Sequence, residues 1–168
     1  MAIALATCTC RHCGKEFVIR TNRRNTHEAA EFEAWAARNI DICDDCANAD
    51  LGARNADAGL PALTGSPKQI AWAESIRADR LDKVRQSLDK AMDSVVRVLA
   101  GYDGASIIAD HKALYAEVTA HIAAKADARW WIDHRQTDGC NLFREAVREM
   151  GLVDKAQALA DATAAVQS

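Results

Sequence analysis

Two cysteine pairs with identical spacing constrain this chain more than any other feature of its sequence. Cys10 and Cys13 form the first pair, Cys43 and Cys46 form the second, and two residues separate the cysteines of each pair. Two thiolates at this spacing can fold back onto one ion, and four sulfurs at about 2.3 Å complete the tetrahedron of a structural zinc site. The pairs therefore predict Zn²⁺ held by four protein ligands. A site closed in this way leaves no open position for a substrate, which argues against catalysis by the metal.

The choice between zinc and disulfides follows from the compartment. The chain has 6 cysteines, and its first residues lack the charged region and long apolar run of a secretion signal. We therefore expect a cytoplasmic protein whose cysteine pairs bind zinc rather than form disulfides. A reduced thiol cluster and a redox-active pair stay open as alternatives. Cys8 could replace Cys10 as a ligand, with poorer spacing, and Cys140 is interpreted as a small core residue.

The residues around the cysteines predict a small α+β module over residues 1–52. Gly14 suits a turn that needs positive φ, and residues 17–19 and 40–42 predict short strands. Asn25 predicts the start of a helix that reaches Arg38. The apolar face of that helix carries Ala29, Phe32, Trp35 and Ala36. A second helix is expected from the second cysteine pair to about Leu51, with its end at Gly52.

Residues 8–52 resemble the zinc-ribbon and treble-clef families. Their first cysteine pair often has the form C-x-x-C-G-x-x-F, which residues 10–17 match. The resemblance implies a zinc-binding module. The 29 residues between Cys13 and Cys43 exceed the usual spacing, and we assign the excess to the inserted helix. The order strand, cysteine pair, helix favours a treble-clef-like module.

A linker over residues 53–66 and a helical bundle over residues 67–168 are predicted to follow. Ser66 and Pro67 suit the first positions of a helix, and no Gly or Pro then occurs before Gly101. This helix carries a heptad seam within residues 81–98, formed by Leu81, Val84, Leu88, Ala91, Val95 and Val98. Packing of the seam within the chain, as a helical hairpin, is favoured over a homodimer.

The remaining bundle helices are expected after a turn at residues 101–104. The second covers about residues 106–124, the third about 141–150, and a terminal helix about 152–166. The fold class is therefore mainly α, an N-terminal zinc-ribbon or treble-clef-like domain followed by a C-terminal helical bundle with one long helix.

A second resemblance covers most of the chain. The stretch LTGSPKQIAWAESIR at residues 63–77 and the block WWIDHR at residues 130–135 look like motifs of small proteins from bacteria, their phages and mobile elements. In those proteins a cysteine-pair segment precedes the first motif. The resemblance implies a shared architecture and no particular activity. An origin in a phage or mobile element would make inhibition of a host defence system, in the manner of an anti-CRISPR protein, an alternative function.

Large aromatic and charged side chains of these motifs form one candidate binding cluster. Trp and Arg are enriched at binding hot spots. The competing interpretation makes the tryptophans core residues, with Arg77 and Asp133 paired, and it is favoured because only 5% of the chain is aromatic. The cluster comprises Gln69, Trp72, Arg77, Trp130, Trp131, Asp133 and Arg135.

Basic residues in the first segment are a candidate nucleic-acid surface. Phosphate contacts require such side chains, but acids outnumber bases in residues 1–52. The net charge of −3, about −5 with four thiolates and one Zn²⁺, also argues against binding over the whole surface. A solvated loop is favoured. The candidates are Arg11, Lys15, Arg20, Arg23 and Arg24.

No common catalytic motif occurs in the sequence, and we predict that the protein is not an enzyme. His111 and His121 are interpreted as core or boundary residues, and a dyad of Cys140 with His134 lacks supporting motifs. No apolar run is long enough to span a bilayer, so no membrane partner is expected. The predicted function is that of a non-enzymatic, zinc-containing protein that binds another macromolecule, with a protein partner favoured and nucleic acid as an alternative.

Overall fold

A computed structural model describes residues 1–166; residues 167 and 168, the end of the predicted 67–168 bundle, lie outside the described residues. Within this range the chain forms two strands and seven helices. It divides into two compact units, Met1–Ala53 (unit 1) and a unit that begins at Arg54 (unit 2). The predicted mainly helical fold with a small β component is confirmed.

Unit 1 begins with an antiparallel hairpin. Strand β1 spans Ala2–Thr9 and β2 spans Glu16–Arg23, with Thr9 opposite Glu16 next to the turn. The sequence predicted only a short strand at residues 17–19 and missed β1. In β1 the small residues Ala4, Ala6 and Cys8 are buried, whereas Ile3 and Leu5 are exposed. The side chains alternate between the two faces as in any strand, but here the larger apolar side chains face solvent and the small ones are buried.

Helix α1 (Thr26–Asn39) covers the inner face of the hairpin. Asn25 caps it as predicted, because its side chain accepts a hydrogen bond of 2.8 Å from the Glu28 N–H. Ala36 is fully buried against Ala6 and Cys8, with larger apolar residues around the edge of this cluster. Of the predicted apolar face, Ala29 and Ala36 are buried and Phe32 is partly buried, whereas Trp35 is 49% exposed and does not belong to the buried face.

The second half of unit 1 differs from the prediction at two places. Residues 40–42 are not a strand but an irregular connection. Helix α2 runs from Asp44 to Asp57, so the predicted end at Gly52 is wrong and residues 53–57 of the predicted linker are helical. Gly in a helix costs about 1 kcal/mol. Beyond Gly52 the helix buries Asn55, whose amide donates to the Glu74 carboxylate.

Unit 2 is built around α3 (Pro67–Val98), whose predicted start is confirmed. The Ser66 hydroxyl accepts from the Gln69 N–H, and the Gln69 side chain accepts from the Ser66 N–H at 3.0 Å, which completes a capping box. The segment before the helix is held by backbone hydrogen bonds between Thr64 and residues 126 and 128.

The apolar seam of α3 packs inside the chain. Helix α4 (Ala105–Ala123) follows a turn that contains Gly101 at φ +92 and packs back on α3. Leu81, Val84 and Leu88 belong to the core that α4 and α6 also form. The hairpin interpretation of the seam is therefore supported, and a homodimer through residues 81–98 stays a prediction.

Three shorter helices complete unit 2: α5 (Ala128–Asp133), α6 (Gly139–Glu149) and α7 (Val153–Ala165). The first turn of α6 touches the backbone of α3. A Cβ on Gly139 would lie 2.2 Å from the carbonyl oxygen of Lys83, so only glycine permits this approach. Within residues 1–166, no helix has both the length and the apolar composition to cross a membrane.

Candidate metal centre

The first cysteine pair lies in the turn between β1 and β2. The Cys10 N–H donates to the Lys15 carbonyl at 2.9 Å, and the Gly14 N–H donates to the Cys10 carbonyl at 2.8 Å. Gly14 has φ +70, the left-handed conformation that this tight turn requires. The turn therefore holds the Cys10 and Cys13 side chains on the same side of the hairpin tip.

The second cysteine pair lies at the start of α2. Cys43 precedes the first helical residue, its carbonyl accepts from the Ala47 N–H at 2.9 Å, and Cys46 lies in the first turn. Helix N-termini carry a partial positive charge, which stabilises thiolates. A hydrogen bond of 2.7 Å from the Arg11 N–H to the Asp41 carbonyl ties the segment before this pair to the hairpin tip.

The four sulfur atoms form one cluster. All four Sγ atoms lie within 4.8 Å of one another, and the Cys13 and Cys43 sulfurs are 3.7 Å apart. Sulfurs bound to one Zn²⁺ at about 2.3 Å in a tetrahedron are about 3.8 Å apart. All four cysteines are free, and 3.7 Å is far longer than a disulfide bond. The cluster therefore has the dimensions of a site for one ion.

The electrostatics of the cluster also fit a cation. Backbone N–H groups of Cys43 and Cys13 point at the Cys10 sulfur and lower the pKa of that thiol to about 6. The crowded Cys43 and Cys13 sulfurs raise the pKa of Cys46 far above its usual value. The backbone thus stabilises the thiolate form of Cys10, whereas the neighbouring sulfurs destabilise the thiolate form of Cys46. A bound cation would remove this opposition, because it compensates the charge of all four sulfurs.

Cys8 does not belong to the cluster. It is buried, and its sulfur lies 3.6 Å from the Ala36 carbonyl oxygen on the α1 side of the hairpin. Cys140 is exposed, so its interpretation as a core residue is wrong.

The five basic candidates of unit 1 differ in their contacts. Arg11 forms an ion pair of 3.1 Å with Asp41, and the Arg23 guanidinium lies 4.1 Å from the centre of the Phe32 ring. Arg20 lies on the exposed face of β2, and Lys15 and Arg24 are exposed near opposite ends of that strand. Two of the five cations are therefore engaged with neighbouring side chains.

The Trp and Arg cluster predicted in unit 2 separates into core and surface. Trp131 is fully buried, and its indole N–H donates to the Lys125 carbonyl at 2.9 Å. Trp130 is half-buried and stacks on His134 with 4.1 Å between ring centres. These two residues connect α5 to the body of the bundle, in agreement with the core interpretation.

The predicted pair of Arg77 with Asp133 is wrong. Arg77 is 1% exposed and binds the Glu74 carboxylate at 2.6 Å and the Pro61 carbonyl at 2.7 Å. Asp133 is exposed and lies 3.7 Å from Arg129 instead. The carboxylate nearest to Arg77 comes from its own helix, three residues earlier.

Trp72, Arg135 and Gln69 remain at the surface. Trp72 is 51% exposed, and the Arg135 guanidinium lies 5.8 Å from the centre of its ring. Gln69 lies one helical turn before Trp72 and caps α3. We call these three residues the Trp72 surface. Asp133 is the other member of the predicted cluster that is exposed to solvent.

Sequence reasoning missed several buried polar residues. Asn55 and Glu74 form a buried network with Arg77, and Arg80 is 7% exposed while it binds Asp79 and the Thr137 carbonyl. The i, i+3 spacing of Glu74 and Arg77 was the available signal for the first network. No local pattern indicates the contact of Asn55 with Glu74 or of Arg80 with the Thr137 carbonyl, because these contacts join residues 19 and 57 apart in the chain.

No protein-family model, curated protein or solved structure matches this chain.

Proposed function

We propose that the protein is a non-enzymatic, zinc-containing interaction protein, in which a structural Zn²⁺ organises unit 1 and a protein partner binds the chain. The single observation that carries the zinc assignment is the cluster of four sulfurs within 4.8 Å of one another. Cys10, Cys13, Cys43 and Cys46 would hold the ion. Zinc prefers four thiolates in a tetrahedron, whereas Mg²⁺ and Ca²⁺ prefer oxygen ligands.

The position of the second pair favours a treble-clef-like module over a zinc ribbon. Cys46 lies in the first turn of helix α2, so the pair leads directly into a helix, although residues 40–42 do not form the predicted strand before it. With four protein ligands the ion supplies stability and no open position for a substrate.

The Trp72 surface supports binding of a protein. Trp and Arg are enriched where alanine substitutions weaken protein complexes most. Trp72 exposes half of its area although large side chains are scarce in this chain, and Arg135 lies beside its ring. Nucleic acid is less favoured, because Arg11 and Arg23 are engaged within unit 1. Inhibition of a host defence system rests on the sequence resemblance alone.

Metal content tests the zinc assignment. We expect about one zinc per chain in protein purified without chelators, measured by elemental mass spectrometry, and a large loss in Cys43→Ser. Cys140→Ser is the matched control, because Cys140 is an exposed cysteine outside the cluster. Metal-free protein in which all four thiols react at the rate of Cys140 would refute the assignment.

Quantitative capture from a host lysate tests partner binding. We expect proteins that are enriched by the wild type and by Trp35→Ala and lost with Trp72→Ala. Trp35 is the control because it is 49% exposed, close to the 51% of Trp72. Equal enrichment by all three, with Trp72→Ala strongly destabilised in thermal unfolding, would show that Trp72 serves the fold and not a partner.

A further inference from the structure

His134, at the C-terminal end of α5, has a hydrogen-bond acceptor at each of its two ring nitrogens. Its Nδ1 lies 2.7 Å from the Trp130 carbonyl oxygen, and its Nε2 lies 3.1 Å from a Glu145 carboxylate oxygen. A carbonyl and an ionised carboxylate accept hydrogen bonds and cannot donate them. A neutral imidazole has one N–H and can satisfy one of these contacts, whereas the imidazolium satisfies both. The geometry therefore fits the protonated form of His134.

The two other histidines of unit 2 do not require a charge in this way. His121 has a contact of 3.0 Å from Nε2 to the Glu149 carboxylate, and His111 has one of 2.9 Å from Nε2 to the Thr163 hydroxyl. In each case a neutral ring with its proton on Nε2 satisfies the contact. Within residues 54–166, His134 is therefore the histidine whose two contacts call for the imidazolium.

The groups packed against His134 also favour its charged form. The side chain is 19% exposed and stacks on the Trp130 ring with 4.1 Å between ring centres. The face of an indole ring attracts cations. Glu145 from α6 is the carboxylate that faces the imidazole. The Lys125 ammonium lies 5.4 Å from the Trp130 ring centre, but it binds the Glu149 carboxylate at 2.6 Å, which compensates its charge.

The charged neighbours of His134 along α5 have other contacts. Asp133 lies 3.7 Å from Arg129. The Arg135 guanidinium donates to the Ile132 carbonyl at 2.9 Å and lies beside the ring of the Trp72 surface. Glu145 is thus the charged group to which folding brings His134.

We propose that His134 and Glu145 form a pH-dependent link between α5 and α6, which is closed while the imidazole is protonated and open when it is neutral. Histidine changes its charge between about pH 5 and 8, and glutamate near about pH 4.3. The link needs both charges, so it is complete at mildly acidic pH. It is lost as the pH rises through the histidine range or falls through the glutamate range. Because Arg135 follows His134, the link also holds the residue beside Trp72.

Hydrogen exchange in the wild-type chain, without any partner, tests the link. The His134 backbone N–H donates to the Trp130 carbonyl at 3.1 Å and reports on the end of α5. After correction for intrinsic exchange, we expect its protection to fall about threefold between about pH 5.5 and about pH 8. The fall should follow the same curve as the ring nitrogen resonances of His134 in an NMR titration. Constant protection over this range would overturn the proposal.

Two variants assign the effect to this pair. Glu145→Gln replaces the carboxylate by an amide that can donate to the neutral imidazole, and we expect it to remove the pH dependence of protection while His134 still titrates. Glu145 is 41% exposed, so the substitution leaves the core intact. His121→Gln is the matched control, because it removes the other histidine that contacts a glutamate of α6, and it should retain the dependence. A dependence that survives Glu145→Gln, or that His121→Gln removes, would refute the link.

Discussion

The two units of this protein bury different kinds of side chain. Outside the sulfur cluster, the buried apolar residues of unit 1 are Ala4, Ala6, Cys8, Ala29 and Ala36. Unit 2 buries Trp131, Leu114, Ile122 and Leu142 almost completely. Burial of a large apolar side chain contributes about 1.5–3 kcal/mol, whereas one methyl group contributes about 0.8 kcal/mol.

This difference indicates two sources of stability in one chain. Unit 2 has enough large side chains to be held together by its core. Unit 1, with about 50 residues, is in the size range where a hydrophobic core is marginal and metals often supply the missing stability. Each of the following predictions tests this contrast at one point.

Removal of metal should have the largest effect. Structural zinc contributes on the order of 10 kcal/mol to small domains, which is more than a core of alanines can replace. With a strong chelator, we expect the amide NMR signals of residues 1–53 to lose their dispersion while those of α3 to α7 keep theirs, and added Zn²⁺ should restore them. Simultaneous loss in both units would refute the contrast.

Trp131→Ala should be the most damaging single substitution in unit 2. It removes a fully buried side chain and its hydrogen bond to the Lys125 carbonyl, and we expect a loss of about 3–5 kcal/mol in urea unfolding. Zinc content should not change. Trp72→Ala is the control variant. We expect it to lower the free energy of unfolding by less than about 1 kcal/mol, because the Trp72 side chain is half exposed.

Gly139→Ala and Gly52→Ala should change stability in opposite directions. A Cβ at residue 139 meets the α3 backbone at 2.2 Å, so we expect a loss of at least about 1–3 kcal/mol from unit 2. Gly52 lies inside α2 with open space around its Cβ position, and alanine there should add up to about 1 kcal/mol. Thermal unfolding measures the stability of both variants. If both substitutions raised the unfolding temperature, or both lowered it, the prediction would be wrong.

The smallest expected effect concerns pH. Lys125 and His121 bind the Glu149 carboxylate at 2.6 and 3.0 Å and lower the pKa of Glu149 below its usual value. The resulting stability of unit 2 is therefore complete above about pH 4.3, the usual value of a glutamate, and is lost as the pH falls through the lower pKa of the folded state. Solvent screening keeps it small. Glu149→Gln should flatten this part of the unit 2 stability profile, and an unchanged slope would exclude the contribution.

Local chemistry explains which features were predictable from the sequence. The capping residues Asn25 and Ser66 mark helix starts because their side chains bind N–H groups only three residues away. The cysteine pairs were recognisable for a similar reason, since two ligands of each pair lie within one turn of the chain.

Features that depend on distant partners were not predictable. Strand β1 was missed because its inward residues are alanines and its larger side chains point to solvent, which hides the usual alternation. Arg77 was assigned the wrong carboxylate because sequence spacing does not determine which acid is buried beside it. Beyond Gly52, α2 carries the buried Asn55, whose contact with Glu74 joins residues 19 apart in the chain.

The arrangement of the sulfur ligands has a consequence for biosynthesis. All four lie within the first 46 residues, so the ligands of the proposed zinc site are synthesised before α3 to α7. The core of unit 2, by contrast, needs Trp131 and Leu142 from the later part of the chain. N-terminal domains generally fold first during synthesis. We therefore expect the concentration of free zinc during translation to determine whether unit 1 of the nascent chain is folded or unfolded.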